Sequence, residues 1–213
     1  LLIFDEAQTA FGRLGHWFAA THLQVTPDIM TVSKTLGGGM PLAAVITNDE
    51  VEDVCHRRGF AFYTSHVSDP LPSAVGLAVL ETIESEHLLQ RSRDMGDYLA
   101  GGLRELQSRH EEIGDVRGMG LLRGIELVRD RETREPHHEL GALTTQRCLE
   151  LGLSMNIRRR PERGSVWRIA PPLTVTKADI DLAMTIFDQA LVEAKDTLAA
   201  RSTAGKTLAR RIA

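Results

Sequence analysis

The stretch Pro27-Asp28-Ile29-Met30-Thr31-Val32-Ser33-Lys34-Thr35-Leu36-Gly37-Gly38-Gly39 decides the reading of this chain. A short apolar run, entered through Pro-Asp and left through a lysine and a glycine run, predicts a buried strand with polar chemistry at its carboxyl end. Upstream, Leu1 to Phe4 repeats the pattern and ends in Asp5-Glu6, as a buried parallel strand would; downstream, Leu42 to Thr47 is a third strand. Helix signals lie between and beyond them. Asn48 opens a helix around Val51 to Arg58, and Asp69, with Pro70 and Pro72 in the first turn, caps a helix running to about Glu84. Tyr63 to Asp69 reads as extended. Strands alternating with helices argue for an α/β sheet in this part of the chain.

From about Arg91 the pattern changes. Met95, Leu99, Leu103 and Leu106 recur at helical spacing and mark a long amphipathic helix. Gly118-Met119-Gly120 is a turn, Leu121 to Val128 a strand, and Arg129 to His138 a charged loop before a helix from about Leu140 to Leu151. Two short strands, Ser154 to Ile157 and Val166 to Ile169, flank the polar loop Arg158 to Ser165, and Pro171-Pro172 stops the second. Thr176-x-x-Asp179 resembles a capping box and starts a last helix to about Leu198. The domain expectation is 1–90 for the end of a large sheet domain, 91–195 for a small α+β domain, and 196–213 for a frayed or disordered tail. The basic residues from Arg201 onward suit a frayed terminus, with a nucleic-acid arm as the weaker alternative.

With 213 residues, 42% hydrophobic and 25% charged, the chain can bury a sizeable core. A formal net charge of −4 gives no basic footprint for nucleic acid. No apolar run approaches the length a bilayer requires. Cys55 and Cys148 stand in neither a CxxC nor a metal spacing, so a reducing cytoplasm is the expected location. The chain opens on Leu1, inside an apolar run, and is expected to be the C-terminal part of a longer protein.

Asp5 and Lys34 each end a buried strand. In open α/β sheets ligands sit beyond the carboxyl ends of strands, so the two can face one pocket. There a lysine of depressed pKa can act as a Schiff-base nucleophile. An aspartate opposite it can keep a heterocyclic nitrogen protonated. The plainer alternative is a turn-capping aspartate and a solvated lysine. A P-loop is excluded, because its glycines must precede the lysine and here they follow it.

The segments Asp5-Glu6-Ala7-Gln8-Thr9, Gly12-Arg13, Thr26-Pro27-Asp28, Ser33-Lys34-Thr35-Leu36-Gly37 and Pro41-Leu42-Ala43-Ala44 resemble, in order and spacing, the signature of class III aminotransferases. The resemblance runs from Leu1 to about Glu193. Within that family, Tyr63 to Pro72, Gly114 to Gly118, Gly152 to Ile157 and Arg168 to Val175 are most similar to the dialkylglycine decarboxylase branch. The resemblance implies the fold type I of pyridoxal-phosphate (PLP) transferases: the C-terminal part of a large, mostly parallel sheet domain plus a small α+β domain. It implies PLP as cofactor, with Lys34 as its Schiff-base lysine and proton donor, Asp5 on the pyridinium nitrogen, and Gln8 on the phenolic oxygen. Ser65 stands where the family has a threonine that binds the phosphate of the neighbouring subunit's cofactor; otherwise it is a surface hydroxyl. Arg168 matches the arginine that binds the substrate carboxylate, an exposed edge arginine being the alternative.

Ser65, Val67 and Asp69 match ligands of a potassium or sodium site. In an extended segment, alternate carbonyls would face one side and join the Asp69 carboxylate; the alternative is that Asp69 is simply a helix N-cap. The activity implied is decarboxylation-dependent transamination of 2,2-dialkylglycines such as 2-aminoisobutyrate. Pyruvate would be the amino acceptor, and ketone, carbon dioxide and alanine the products. A plain transaminase acting on ω-amino acids or ornithine, and a truncated chain without catalysis, are the alternatives. The partners implied are small amino and keto acids and a second subunit, in a homodimer or tetramer with the active site at the interface, without nucleic acid or membrane.

Overall fold

The computed structural model describes residues 1–67, 69–155, 157–159 and 165–212, without the side chains of 157–159 and 202–212. The chain divides into two compact units at Asp94/Met95.

The first unit holds β1 (Ile3–Asp5), α1 (Ala19–Leu23), β2 (Ile29–Val32), β3 (Ala44–Thr47), α2 (Asp49–Arg57), α3 (Pro70–Ser85) and the start of α4 (Leu88–Arg109). Its sheet has the order β1-β2-β3. β1 runs parallel to β2, with Asp5 opposite Thr31, and β3 runs antiparallel to β2, with Ala44 opposite Val32. The sheet is thus mixed. The expectation that the first two strands are buried is corrected: in the sheet only Val32 is fully buried, while Ile3 is 59% and, on the third strand, Val45 70% exposed. Both belong to the outer strands of a three-stranded sheet, where packing within the unit covers least.

α2 forms where the sequence signals placed it. The Asn48 side chain accepts from the Val51 amide at 3.0 Å, acids fill the first turn, and His56 and Arg57 sit in the last. Both charge sets complement the helix dipole. α3 has prolines in its first turn, but the Asp69 side chain makes no cap bond. That carboxylate accepts from His66 Nδ1 at 2.7 Å instead. The extended reading of Tyr63 to Asp69 is also corrected. Residues 65–67 form a turn, with the Val67 amide on the Thr64 carbonyl at 3.3 Å.

The second unit continues α4 and adds β4 (Ile113–Met119), β5 (Leu122–Leu127), α5 (His138–Glu150), β6 (Ile157–Arg159), β7 (Ser165–Ile169) and α6 (Lys177–Ile212). Its sheet is antiparallel throughout, in the order β4-β5-β7-β6. β4 is the strand the sequence reading missed. Its run Ile-Gly-Asp-Val-Arg-Gly-Met has no clean alternation, and it carries a bulge between Ile113 and Asp115. At Gly114 a side chain has no room, since a Cβ would lie 2.7 Å from Val128 Cγ2. The core gathers Leu103, Leu106, Ile113, Leu127, Trp167, Phe187 and Leu191. The expected capping box is present: Asp179 Oδ2 accepts from the Thr176 amide at 2.9 Å, and Thr176 Oγ1 accepts from the Asp179 amide at 3.2 Å. α6 extends to Ile212, past the Leu198 at which the sequence reading ends it. Of the polar loop Arg158 to Ser165, residues 160–164 lie outside the described residues, while Arg158 and Arg159 belong to β6 and Ser165 to β7 rather than to a loop.

Candidate active site

In the first unit the two adjacent parallel strands end side by side. Asp5 closes β1, and Lys34 follows β2 after the single residue Ser33, three residues beyond Asp5's register partner Thr31. Thr31 Oγ1 donates to Asp5 Oδ1 at 3.2 Å, and the Ala7 amide donates to the same oxygen at 3.1 Å. Oδ2 takes no hydrogen bond among the described residues, and the residue is exposed. Lys34 begins a single 3₁₀ turn, Lys34–Gly37, with φ of 53°. A left-handed backbone is costly for a lysine, on the order of 1 kcal/mol, and such strain gathers at functional sites. Its Nζ is exposed and makes no hydrogen bond or ion pair among the described residues. An uncommitted amine thus stands at the same sheet edge as a half-committed carboxylate.

The glycines after Lys34 let this turn lie against α3. A Cβ on Gly38, whose φ is 55°, would meet Val79 Cγ2 at 2.9 Å. From the helix side, a Cβ on Gly76 would fall 2.6 Å from Leu42 Cδ2. Close packing of this kind holds the turn that presents Lys34.

Gln8 is half-buried in the turn that follows β1. Between it and Asp5 lies a residue to which the sequence reading gave no role. Glu6 is buried at 1% exposure, its Oε1 accepting from the Ala20 amide at 2.8 Å and its Oε2 from the Thr9 hydroxyl. The Glu6/Thr9 spacing was visible in the sequence; the Ala20 partner, in another element, was not.

Ser65 is exposed in the turn of 65–67, on a different segment from Asp5 and Lys34. Asp69 is engaged by His66, and the turn removes the strand alternation that would aim the carbonyls of Ser65 and Val67 to one side. No cluster of three or more His, Cys, Asp or Glu suited to a metal occurs among the described residues. No helix among them is long and apolar enough to cross a membrane.

Arg168 lies in the second unit, on β7 opposite Gly124 of β5. Its neighbour Trp167 is fully buried, donates from Nε1 to Thr145 Oγ1 at 2.9 Å, and stands edge-on to Phe187 at 5.0 Å. The anchored indole fixes the strand and leaves Arg168 exposed, as strand alternation requires. Arg168 borders a cavity of about 720 Å³ lined also by Leu153, Ser154, Met155, Pro171 and Phe187. A guanidinium at the rim of a largely apolar cavity can hold a carboxylate through two parallel hydrogen bonds. Cys148 is not a competing nucleophile, since burial pushes its thiol up to about 12.

The family described as Aminotransferase class-III matches residues 1–191. An uncharacterized aminotransferase of Schizosaccharomyces pombe is 48% identical over 191 residues, covering 90% of this chain and 43% of that protein. The leucine/methionine racemase of Thermococcus litoralis is 40% identical over 196 residues, covering 92% and 43%. Among solved structures, the ω-transaminase of Pseudomonas jessenii in complex with PMP superposes with a TM-score of 0.83 at 30% identity, covering 93% of this chain and 45% of that one. The chain therefore spans rather less than half the length of the relatives it matches.

Proposed function

The chain belongs to the class III aminotransferase family, whose solved members share its fold type I α/β architecture, and on that premise we propose that it forms part of a PLP-dependent enzyme that transfers amino groups. The observation that carries this reading is that a lysine amine and a carboxylate oxygen, neither with a hydrogen-bond partner among the described residues, stand at the ends of adjacent parallel strands. Those residues fit the cofactor. When bound, PLP supplies an aldehyde for an amine and a protonated ring that accepts the electrons released as a bond to the α-carbon breaks.

Lys34 Nζ would be the amine that holds the cofactor's aldehyde, and the same amine, at this sheet end, would serve as the general acid that supplies a proton. Asp5 Oδ2 would keep a proton on the ring nitrogen, while Thr31 and Ala7 hold the other oxygen in place. Gln8 would contact the ring's phenolic oxygen, Ser65 would hold the phosphate of a neighbouring subunit's cofactor in a homodimer or tetramer, and Arg168 would bind the substrate carboxylate. The cation role of Ser65, Val67 and Asp69 is supported by resemblance alone, and no step here passes through a potassium or sodium ion.

Within the family, the finer reading is decarboxylation-dependent transamination of 2,2-dialkylglycines with pyruvate. It is supported by the run Tyr63 to Pro72 and by Arg168-Ile169-Ala170-Pro171-Pro172-Leu173-Thr174-Val175. A plain ω-amino-acid transaminase is the second reading, favoured by the likeness to the Pseudomonas jessenii enzyme. The deciding experiment supplies the full-length enzyme, with PLP and potassium, with 2-aminoisobutyrate and pyruvate. Carbon dioxide released in step with alanine is the expected result. Amino transfer from ω-amino donors without carbon dioxide would refute the finer reading and keep the family's chemistry.

A further inference from the structure

We propose that Glu6 is the positioning residue of the cofactor contacts: its buried carboxyl group fixes the backbone that presents both Asp5 and Gln8. This rests on the PLP reading above, and it concerns a residue that reading leaves unused.

Glu6 is the only acidic side chain among the described residues that is almost wholly buried, and it makes no ion pair with any of them. Removing a carboxyl group from water is costly unless its oxygens are hydrogen-bonded. Here each oxygen has a donor, and the two donors lie on different segments. Oε2 takes the Thr9 hydroxyl, within its own turn. Oε1 takes the Ala20 amide at 2.8 Å, at the start of α1, whose N-cap residue Phe18 provides no side-chain cap. Glu6 therefore does for α1 what an N-cap would do, from a different element.

The backbone is tied at the same place. The Glu6 amide donates to the Thr31 carbonyl at 2.9 Å, extending the β1–β2 pairing one residue past Asp5. The Glu6 carbonyl accepts from the Ala10 amide at 3.1 Å, closing the turn that contains Gln8. The loop between Thr9 and Ala20 is pinned as well: Phe11 and Phe18 stack edge-on at 5.6 Å, and the Phe11 amide reaches the Trp17 carbonyl at 2.6 Å. Asp5 precedes Glu6 directly and Gln8 follows two residues later. A side chain that locks residues 6, 9 and 20 together sets where both contacts point. A hydrophobic residue would fill the same space and keep the backbone bonds, but would hold neither the Thr9 hydroxyl nor the Ala20 amide.

The test uses the full-length enzyme and three variants. Glu6→Met keeps the bulk and removes both acceptors. Glu6→Gln keeps an acceptor for the Ala20 amide and turns a donor toward the Thr9 hydroxyl, which can accept it. Thr9→Val removes one donor only. PLP affinity is titrated by cofactor absorbance, and the pH at which the bound cofactor's spectrum changes is recorded. Apo-protein melting is followed in parallel. Glu6→Met is expected to weaken PLP binding about tenfold or more and to shift the spectral pH midpoint, with Glu6→Gln restored to within about threefold. Unchanged affinity and an unchanged midpoint in a folded Glu6→Met would overturn the proposal. Should Glu6→Met not fold, Thr9→Val decides: a severalfold loss of affinity supports it and none overturns it. Lys34→Ala separates the two levels. If the wild type shows no Schiff-base absorbance for Lys34→Ala to abolish, the PLP reading itself fails and this inference with it.

Discussion

The same substitution, glycine to alanine, should change the stability of α4 in opposite directions at two positions five residues apart. Gly96 lies against the turn between β4 and β5. A Cβ there would sit 2.3 Å from the Gly120 carbonyl oxygen, 2.4 Å from its carbon and 2.7 Å from its Cα. All three are backbone atoms, so no side chain can swing aside. To reach even 3.0 Å, the turn must retreat by at least about 0.7 Å. It is held against that retreat. Arg123 donates to the Gly120 carbonyl at 2.9 Å and the Gly118 carbonyl at 2.7 Å, and reaches Asp97 on α4 at 3.4 Å. Alanine gains about 1 kcal/mol of helix propensity over glycine. Overpacking a rigid contact costs about 1–3 kcal/mol, and disturbing the Arg123 bonds adds to that. The net expectation for Gly96→Ala is a loss of roughly 1–2 kcal/mol. At Gly101 a Cβ would meet nothing within 4 Å, so propensity acts alone and Gly101→Ala should stabilise by about 0.5–1 kcal/mol. Thermal melts of the full-length apo-enzyme should place the variants on either side of wild type, separated by several degrees. Shifts of the same sign would refute the reasoning that backbone contact, rather than helix propensity, governs Gly96.

Arg168→Leu should raise KM for a carboxylate-bearing donor by at least about 100-fold, because two charge-assisted hydrogen bonds of about 1.5–3 kcal/mol each are lost. An amine donor without a carboxylate should be little affected, and steady-state kinetics with both donors checks the contrast. Asp188→Asn should destabilise the enzyme in a pH-dependent way. Burial pulls the Asp188 carboxyl upward, but hydrogen bonds from His110 and Arg109 outweigh it and hold the group below its ordinary range. A depressed folded-state pKa contributes stability that is full above the unfolded value of about 3.9 and is lost as pH falls through the folded one. The melting difference from wild type should therefore be present at neutral pH and close below about pH 4, as measured by melts across that range.

Much of this chain is written locally in its sequence. The apolar run Ile29–Val32 ends where Ser33-Lys34 begins, so the lysine at the end of a strand was legible. Asp5 was legible for the same reason. Asn48 and Thr176/Asp179 announced helix starts, because capping satisfies amides only a few residues away. Three features were decided elsewhere. β4 is a strand because β5 pairs with it, although its own residues lack the alternation that would reveal it. The segment 65–67 turns rather than extends, and Asp69 binds His66 rather than the α3 terminus; one carboxylate with two possible donors is settled by geometry, not by its position in the sequence. Glu6 read as one more acid at a strand end, and its burial depends on an amide fourteen residues away. The sequence by itself determined which residues could carry chemistry and where strands and helices start. Only the tertiary structure decided which groups lose water and which donors then reach them, because desolvation depends on every neighbour at once, whereas strand, turn and cap signals depend on a few adjacent residues.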